Sequence, residues 1–277
     1  MAELNLLMEG IVLGECPRWH EGRLWFSDWG ARQMIAVDMA GRHEVIDRVD
    51  ALPFSFDWQP DGRQLVIADK TLWRRERNGV LQPWVDVGSH GEMGWNEIVV
   101  DGRGNSYVNT VNFAFPGGEF RPGHAALVRP DGTVTRVAEG LAFPDGMAVT
   151  PDNATLIIGE SFSTTLSAFD IAKDGTLSNR RVWAKLDGGP DGITMDATGA
   201  IWSSAGPKAI RVREGGEVLQ TIDLDRFCFA TMLGGDDGRT LFMVCNEWTG
   251  STTNLQKTGR IYWTRVDSPR AGWPQDA

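Results

Sequence analysis

At 277 residues, 42% apolar and 23% charged, the chain carries enough apolar side chain to bury a sizeable core. Its net charge of −10 argues against nucleic acid and anionic membrane as partners, since both call for a basic face. Three cysteines (Cys16, Cys228 and Cys245), with no CxxC spacing, fit reduced thiols in a cytoplasmic protein and not a disulfide framework.

The first residues, "MAELNLLMEGIVLGE", have neither the basic start of a signal peptide nor a long apolar run. No later stretch approaches the ~18 uninterrupted apolar residues of a membrane span, and the sequon at Asn153 is read as incidental. One phrase then recurs along the chain: a strand, a tight Asp or Gly turn, and a second strand. It reads "PRWHEGRLWFSD" at 17–28, "FDWQPDGRQLVIAD" at 56–69 and "EIVVDGRGNSYVNT" at 97–110. It returns as "MAVTPDNATLIIGES" at 147–161, "ITMDATGAIWSSA" at 193–205 and "TMLGGDDGRTLFMVC" at 231–245. Each copy is a hairpin, and further strand pairs such as "MIAVDMAGRHEVI" and "IRVREGGEVLQTI" lie between the copies. Two hairpins per period of roughly 40–50 residues build a four-stranded sheet, the repeat of a β-propeller. The spacing therefore predicts an all-β, six-bladed β-propeller with four-stranded blades around a central channel, as one domain over 1–277. A two-sheet sandwich would explain the short strands but not the sixfold return of one phrase. Closing the ring requires a strand around Gly10–Leu13 to pair beside "RIYWTRV" at 260–266.

The phase of the repeat singles out one position per blade, just ahead of the strand that lines the channel. Around the ring these are Glu15, Ser55, Asn96, Asp145, Asp191 and either Ala230 or Thr231. Three carboxylates converging on an axis repel one another unless one takes a proton or a cation neutralises them. Oxygen-only donors suit Ca²⁺, Mg²⁺ or Mn²⁺, so the set Glu15, Asn96, Asp145 and Asp191 is read as a metal site. The four histidines fall in unrelated phases and offer no zinc spacing. "PDG" occurs four times, and the motif is a common turn. The copies at 60–62 and 130–132 sit between the strands of a hairpin, whereas those at 144–146 and 190–192 precede a channel strand. Glu15 has no turn role at all.

The stretches "LGECPRWHEGRLWFSD", "WNEIVVDGRGNSYVNT", "GLAFPDGMAVTPDNATLIIGES" and "GPDGITMDATGAIW" resemble the senescence marker protein (regucalcin)/gluconolactonase/luciferin-regenerating family. The similarity runs from about residue 10 to 266. It implies a six-bladed propeller with one divalent metal on its axis, and lactone hydrolysis. Carried over by position, it implies that Glu15 and Asp191 are carboxylate ligands and that Asn96 contacts substrate or the attacking water, with Asp191 assisting proton removal. Asp145 stands where the family usually has asparagine, and Gly94 where sugar lactonases tend to have arginine. Trp29, Trp95, Phe113 and Phe162 are expected to overlook the channel mouth, making a pocket for an aromatic or alicyclic lactone. Ca²⁺ is the first expectation for the metal, with Mn²⁺, Mg²⁺, Zn²⁺ and Fe²⁺ as alternatives. The expected partner is a small-molecule lactone, with the protein a monomer or weak homo-oligomer. A phosphotriesterase on the same site, or a non-catalytic scaffold, are the competing readings. "GESFS" is not a GxSxG elbow, and no phosphate-cradling glycine loop is present.

Overall fold

The Asp/Gly turns close six hairpins, and the computed structural model, which describes residues 3–91 and 93–274, shows what they join. Blade one is built from Gly14–His20, Arg23–Asp28, Gln33–Val37 and His43–Arg48. Blade two holds Phe54–Trp58, Gln64–Ala68, Thr71–Arg75 and Leu81–Asp86. Blade three holds Ile98–Val100, Ser106–Thr110, Gly123–Val128 and Val134–Leu141. Blade four holds Pro144–Val149, Thr155–Glu160, Thr165–Ile171 and Leu177–Lys185. Blade five holds Ile193–Met195, Ile201–Ser204, Lys208–Val212 and Val218–Asp223. Blade six takes Phe227–Gly234, Thr240–Asn246 and Gly259–Arg265, and its outer strand is Asn5–Ile11 from the other end of the chain.

Each blade is a separate four-stranded antiparallel sheet, and the first strands touch in cyclic order, so the molecule is a six-bladed propeller. The closure differs from expectation in register. The N-terminal strand begins at Asn5, pairing Asn5 with Trp263 and Ile11 with Gly259. Residues 12 and 13 lie outside it, because their amides are taken by the Asp28 carboxylate at 3.0 Å each. That contact turns the chain from the rim of blade six toward the axis of blade one.

Six apolar clusters fill the six interfaces between neighbouring blades. Across the closing interface Trp19 stacks on Phe242 at 5.3 Å between ring centroids, with Leu7 and Ile11 in the same cluster. At the end of the channel away from Glu15, the C-terminal segment crosses the inner strands. Arg270 N–H bonds Gly238 O, Ala271 N–H bonds Met195 O, and Trp273 exchanges both backbone bonds with Val149. No helix among the described residues is long and apolar enough to cross a membrane.

Candidate functional site

The inner strands are irregular where the acidic residues stand. The ladder of blade one slips between Glu15 and Arg18, and that of blade four between Pro144 and Met147. A bulge of this kind leaves a residue unpaired and re-aims its neighbours, here toward the axis. In blades three and five the regular ladder starts only at Ile98 and Ile193, so Asn96 and Asp191 precede it. The expectation that all ring residues lie ahead of the strand therefore needs correcting. Glu15, Ser55, Asp145 and Ala230 lie within their strands.

Glycine decides how close the strands come. Gly62 and Gly132 have φ of +81° and +85°, the left-handed backbone of a turn. Gly146 and Gly192 are not turn glycines. A Cβ on Gly146 would lie 2.5 Å from Asp191 O, and one on Gly192 would lie 2.3 Å from the Ala230 Cβ. The two motifs written alike as PDG thus do different work, one bending a hairpin and the other letting channel strands meet.

These features bring Glu15, Asp145 and Asp191 together. All three carboxyls are held well above the usual carboxylate range. The cause is burial first, then mutual repulsion: Asp145 acts on Glu15, Asp191 on Asp145, and Glu15 on Asp191. Asp145 and Asp191 lie close enough to act directly on each other, so the two cannot both ionise freely. Asn96 is buried beside them, lowers the Asp145 carboxyl pKa in part, and donates to Pro144 O at 3.4 Å. Asn109 donates to Asp145 O at 2.7 Å and pins that strand from behind.

The other two ring positions add no side-chain donor to the carboxyls. Ser55 Oγ donates to Asn96 O at 2.7 Å and Glu97 Oε1 at 3.1 Å. Ala230 lies in an apolar cluster, and Thr231 Oγ1 is turned to Trp202 O at 3.0 Å. Sequence reasoning overlooked Glu97, a fourth buried carboxylate whose charge raises the other three. Its signal was an acid directly before the apolar inner strand Ile98–Val100. Below it lies Arg18, buried, with Nη2 at 3.3 Å from Glu97 Oε2 and 2.6 Å from Ile98 O. Arg18 Nε stands 3.7 Å from Asp57 Oδ1. This cation offsets part of the negative charge from underneath.

Among the described residues, no three His, Cys, Asp or Glu side chains converge as a finished metal cage. The chemistry of the carboxyls nevertheless fits a hard divalent cation: oxygen donors only, a buried charge conflict, and Asp191 Oδ1 buried without a hydrogen-bond partner. Burial raises the Cys16 and Cys228 thiols well above their ordinary value, so neither supplies a thiolate nucleophile.

Of the aromatic residues expected at the mouth, Trp95 is not there. It is fully buried, edge-on to His124 at 5.4 Å, within the apolar cluster of blades two and three. Trp29 is half-buried at the rim, its Nε1 donating to Phe54 O at 2.6 Å. Phe162 is 52% exposed, and Phe113 is buried beneath it in ring contact at 5.9 Å. Gly94 has nothing nearer than 3.8 Å to a Cβ built on it, so the backbone does not demand glycine there. Two surface hollows, of about 750 and 660 Å³, lie at the opposite end of the ring around Trp58 and around Trp183, and no ring residue lines them.

A protein-family profile described as the SMP-30/Gluconolactonase/LRE-like region matches residues 13–246. A pentonolactonase of Haloferax volcanii is 28% identical over 200 residues, 69% of this chain and 66% of that protein. A regucalcin of Xenopus laevis is 27% identical over 239 residues, 79% of this chain and 78% of that one. Among solved structures, a calcium-binding protein, regucalcin, of Agrobacterium tumefaciens superposes with a TM-score of 0.83 at 19% identity, covering 99% of this chain and 97% of that one. That last likeness speaks to the fold alone.

Proposed function

Because the chain belongs to the SMP-30/gluconolactonase/LRE-like family, we propose that its acidic ring holds one divalent cation and that the protein opens lactones by hydrolysis. The observation that carries this reading is the buried, mutually repelling trio of Glu15, Asp145 and Asp191, with one Asp191 oxygen left unpartnered. Glu15, Asn96, Asp145 and Asp191 would be the ligands, and Ca²⁺ suits such donors best. When bound, the cation supplies Lewis acidity toward a carbonyl oxygen and makes water easier to ionise.

The remaining chemistry belongs to the chain. Asn96 orients water or the ring ester against the carboxyls. The Asp191 carboxylate accepts a proton as water adds to the carbonyl carbon. The ring carbon–oxygen bond then breaks, and the same proton passes to the departing ring oxygen. One water is consumed and one hydroxy acid is formed, with no change in oxidation state. Arg18 and Glu97 form a buried ion pair at the floor of the site.

The test is a panel of lactones and phosphotriesters offered to purified protein. Ring opening should disappear on chelation and return with a divalent cation. Glu15→Gln and Asp191→Asn should each lose most bound metal and nearly all turnover. Full metal content in both variants would remove the ligand assignment, and turnover confined to phosphotriesters would replace the lactonase reading.

A further inference from the structure

Five of the twelve phenylalanines gather at the acidic end of the channel, on the loops of blades three and four. Phe113 is the hub, in ring contact with Phe115, Phe120, Phe143 and Phe162 at 5.7–6.2 Å. Phe143 stacks on Phe162 at 4.6 Å. Only the hub is fully buried; Phe115, Phe120 and Phe162 are 43%, 46% and 52% exposed. Contiguous exposed aromatic surface of this kind marks a site of contact with another molecule.

The cluster is tied to the acidic ring by backbone. Phe143 lies two residues before Asp145, and its carbonyl accepts from Ser161 N–H at 3.0 Å. Ser161 Oγ donates to Pro190 O at 2.7 Å, directly before Asp191. Phe143 also has φ of +62°, a left-handed backbone that is costly for an aromatic residue. The fold tolerates that cost at the residue that sets a phenyl ring beside the site. Across the ring, Phe229 meets Trp248 edge-on at 5.5 Å, and Phe229 O accepts from Gly192 N–H at 2.8 Å. The loops next to both aspartates are therefore flanked by aromatic side chains.

We infer that these phenylalanines form a substrate subsite, selecting lactones that carry an aromatic or comparably flat apolar substituent. The inference rests on the lactonase reading and narrows it. The carbonyl end would lie on the acidic ring while the substituent packs edge-to-face against Phe162 and Phe120, an arrangement that aromatic pairs prefer. A polyhydroxylated ring substituent would lose hydration against such a wall without gaining hydrogen bonds.

Two paired measurements on the calcium-loaded protein test it. Calorimetric titration compares γ-phenyl-γ-butyrolactam with γ-butyrolactam, amides that resist ring opening. Kinetics compare the corresponding lactones. The phenyl compound should bind roughly tenfold more tightly and show a similar advantage in kcat/KM. Phe162→Ser and Phe120→Ser replace exposed side chains and so should fold, and each should cut that advantage several-fold, through KM. Equal binding of the two lactams, or an advantage untouched by both variants, overturns the subsite. A dimer in sedimentation that Phe162→Ser disperses, with no phenyl preference, would also overturn it. Should no lactone be opened at all, the lactonase reading falls, and the lactam titration still decides whether the aromatic wall recognises the substituent.

Discussion

Glu15, Asp145 and Asp191 are buried and repel one another, so without a cation the trio favours its protonated forms. The consequence for stability runs against the usual pattern for carboxylates. A group whose folded pKa is raised stabilises the fold fully below its unfolded value, and that contribution is lost as pH rises through the folded pKa. Glu15, Asp145 and Asp191 are all raised well above their ordinary values. Beneath them burial pushes Asp57 from 3.8 to about 6, the ion pair with Arg18 offsetting only part of it. Asp57 alone removes on the order of 2–3 kcal/mol between those limits. Chelated protein should thus melt at a lower temperature at pH 7.5 than at pH 5, and Ca²⁺ should restore the loss at pH 7.5 while doing little at pH 5. Flat melting temperatures across that range in chelator would refute the charge conflict. Asp145→Asn removes one acid and keeps the size: the chelated variant should be more stable at pH 7.5, with an altered preference among divalent cations. Identical stability and cation preference would make Asp145 a structural residue only. At this scale the sequence exposed Glu15, Asp145 and Asp191 because each repeats one phase. It hid Glu97, whose neighbour Asn96 already filled that phase, and it misplaced Trp95, since a tryptophan beside a ring position gives no sign of which way its indole turns.

The elements explain why a run of ordinary hairpins can carry such a site. Regular alternation would send every second side chain to the channel, whereas slips after Glu15 and Pro144 and late starts at Ile98 and Ile193 re-aim single residues. The innermost ladder of blade two has no slip, and its ring residue is Ser55, which serves the backbone of blade three. Strands and turns were legible from alternation and Asp/Gly signals, but a bulge depends on what the neighbouring strand allows and leaves no local mark. The glycines turn this into a measurable contrast. Gly62→Ala meets nothing within 4 Å and bears only the strain of positive φ, about 1 kcal/mol. Gly146→Ala drives a methyl into the backbone of blade five at 2.5–2.7 Å. It should cost about 1–3 kcal/mol or more. It should also displace Asp145 from Asp191 and lower cation affinity, whereas Gly62→Ala should keep full cation affinity. Urea unfolding and calcium titration of the two variants check both halves, and equal effects would show that the close approach at Gly146 has no bearing on the site.

For the whole molecule, a ring of six sheets has to be closed and its channel given one open end. The two ends of the chain divide that work. Asn5–Ile11 completes blade six and contributes Leu7 and Ile11 to the closing interface, while residues 269–273 cross the inner strands of blades four to six far from the acidic ring. The first role was legible, because a propeller repeat demands a partner for its last blade. The second was not, since "PRAGW" at 269–273 has no strand pattern and is held by isolated backbone bonds. Removing residues 1–11 would withdraw two buried aliphatic side chains, roughly 3–6 kcal/mol together, and bare the edge of Gly259–Arg265. An unpaired edge of that length invites association, so this truncation should melt at least about 6 °C lower and aggregate. Removing residues 267–277 leaves every blade complete and costs the backbone bonds to Val149, Met195, Ala197 and Gly238 and the packing of the half-buried Trp273. That variant should lose less stability, stay monodisperse and keep its cation affinity, because Glu15, Asp145 and Asp191 stand at the other end of the channel. A C-terminal truncation that abolished cation binding while still folded would mean that the tail sets the spacing of the inner strands along their whole length, and the two ends of the channel could no longer be treated as independent.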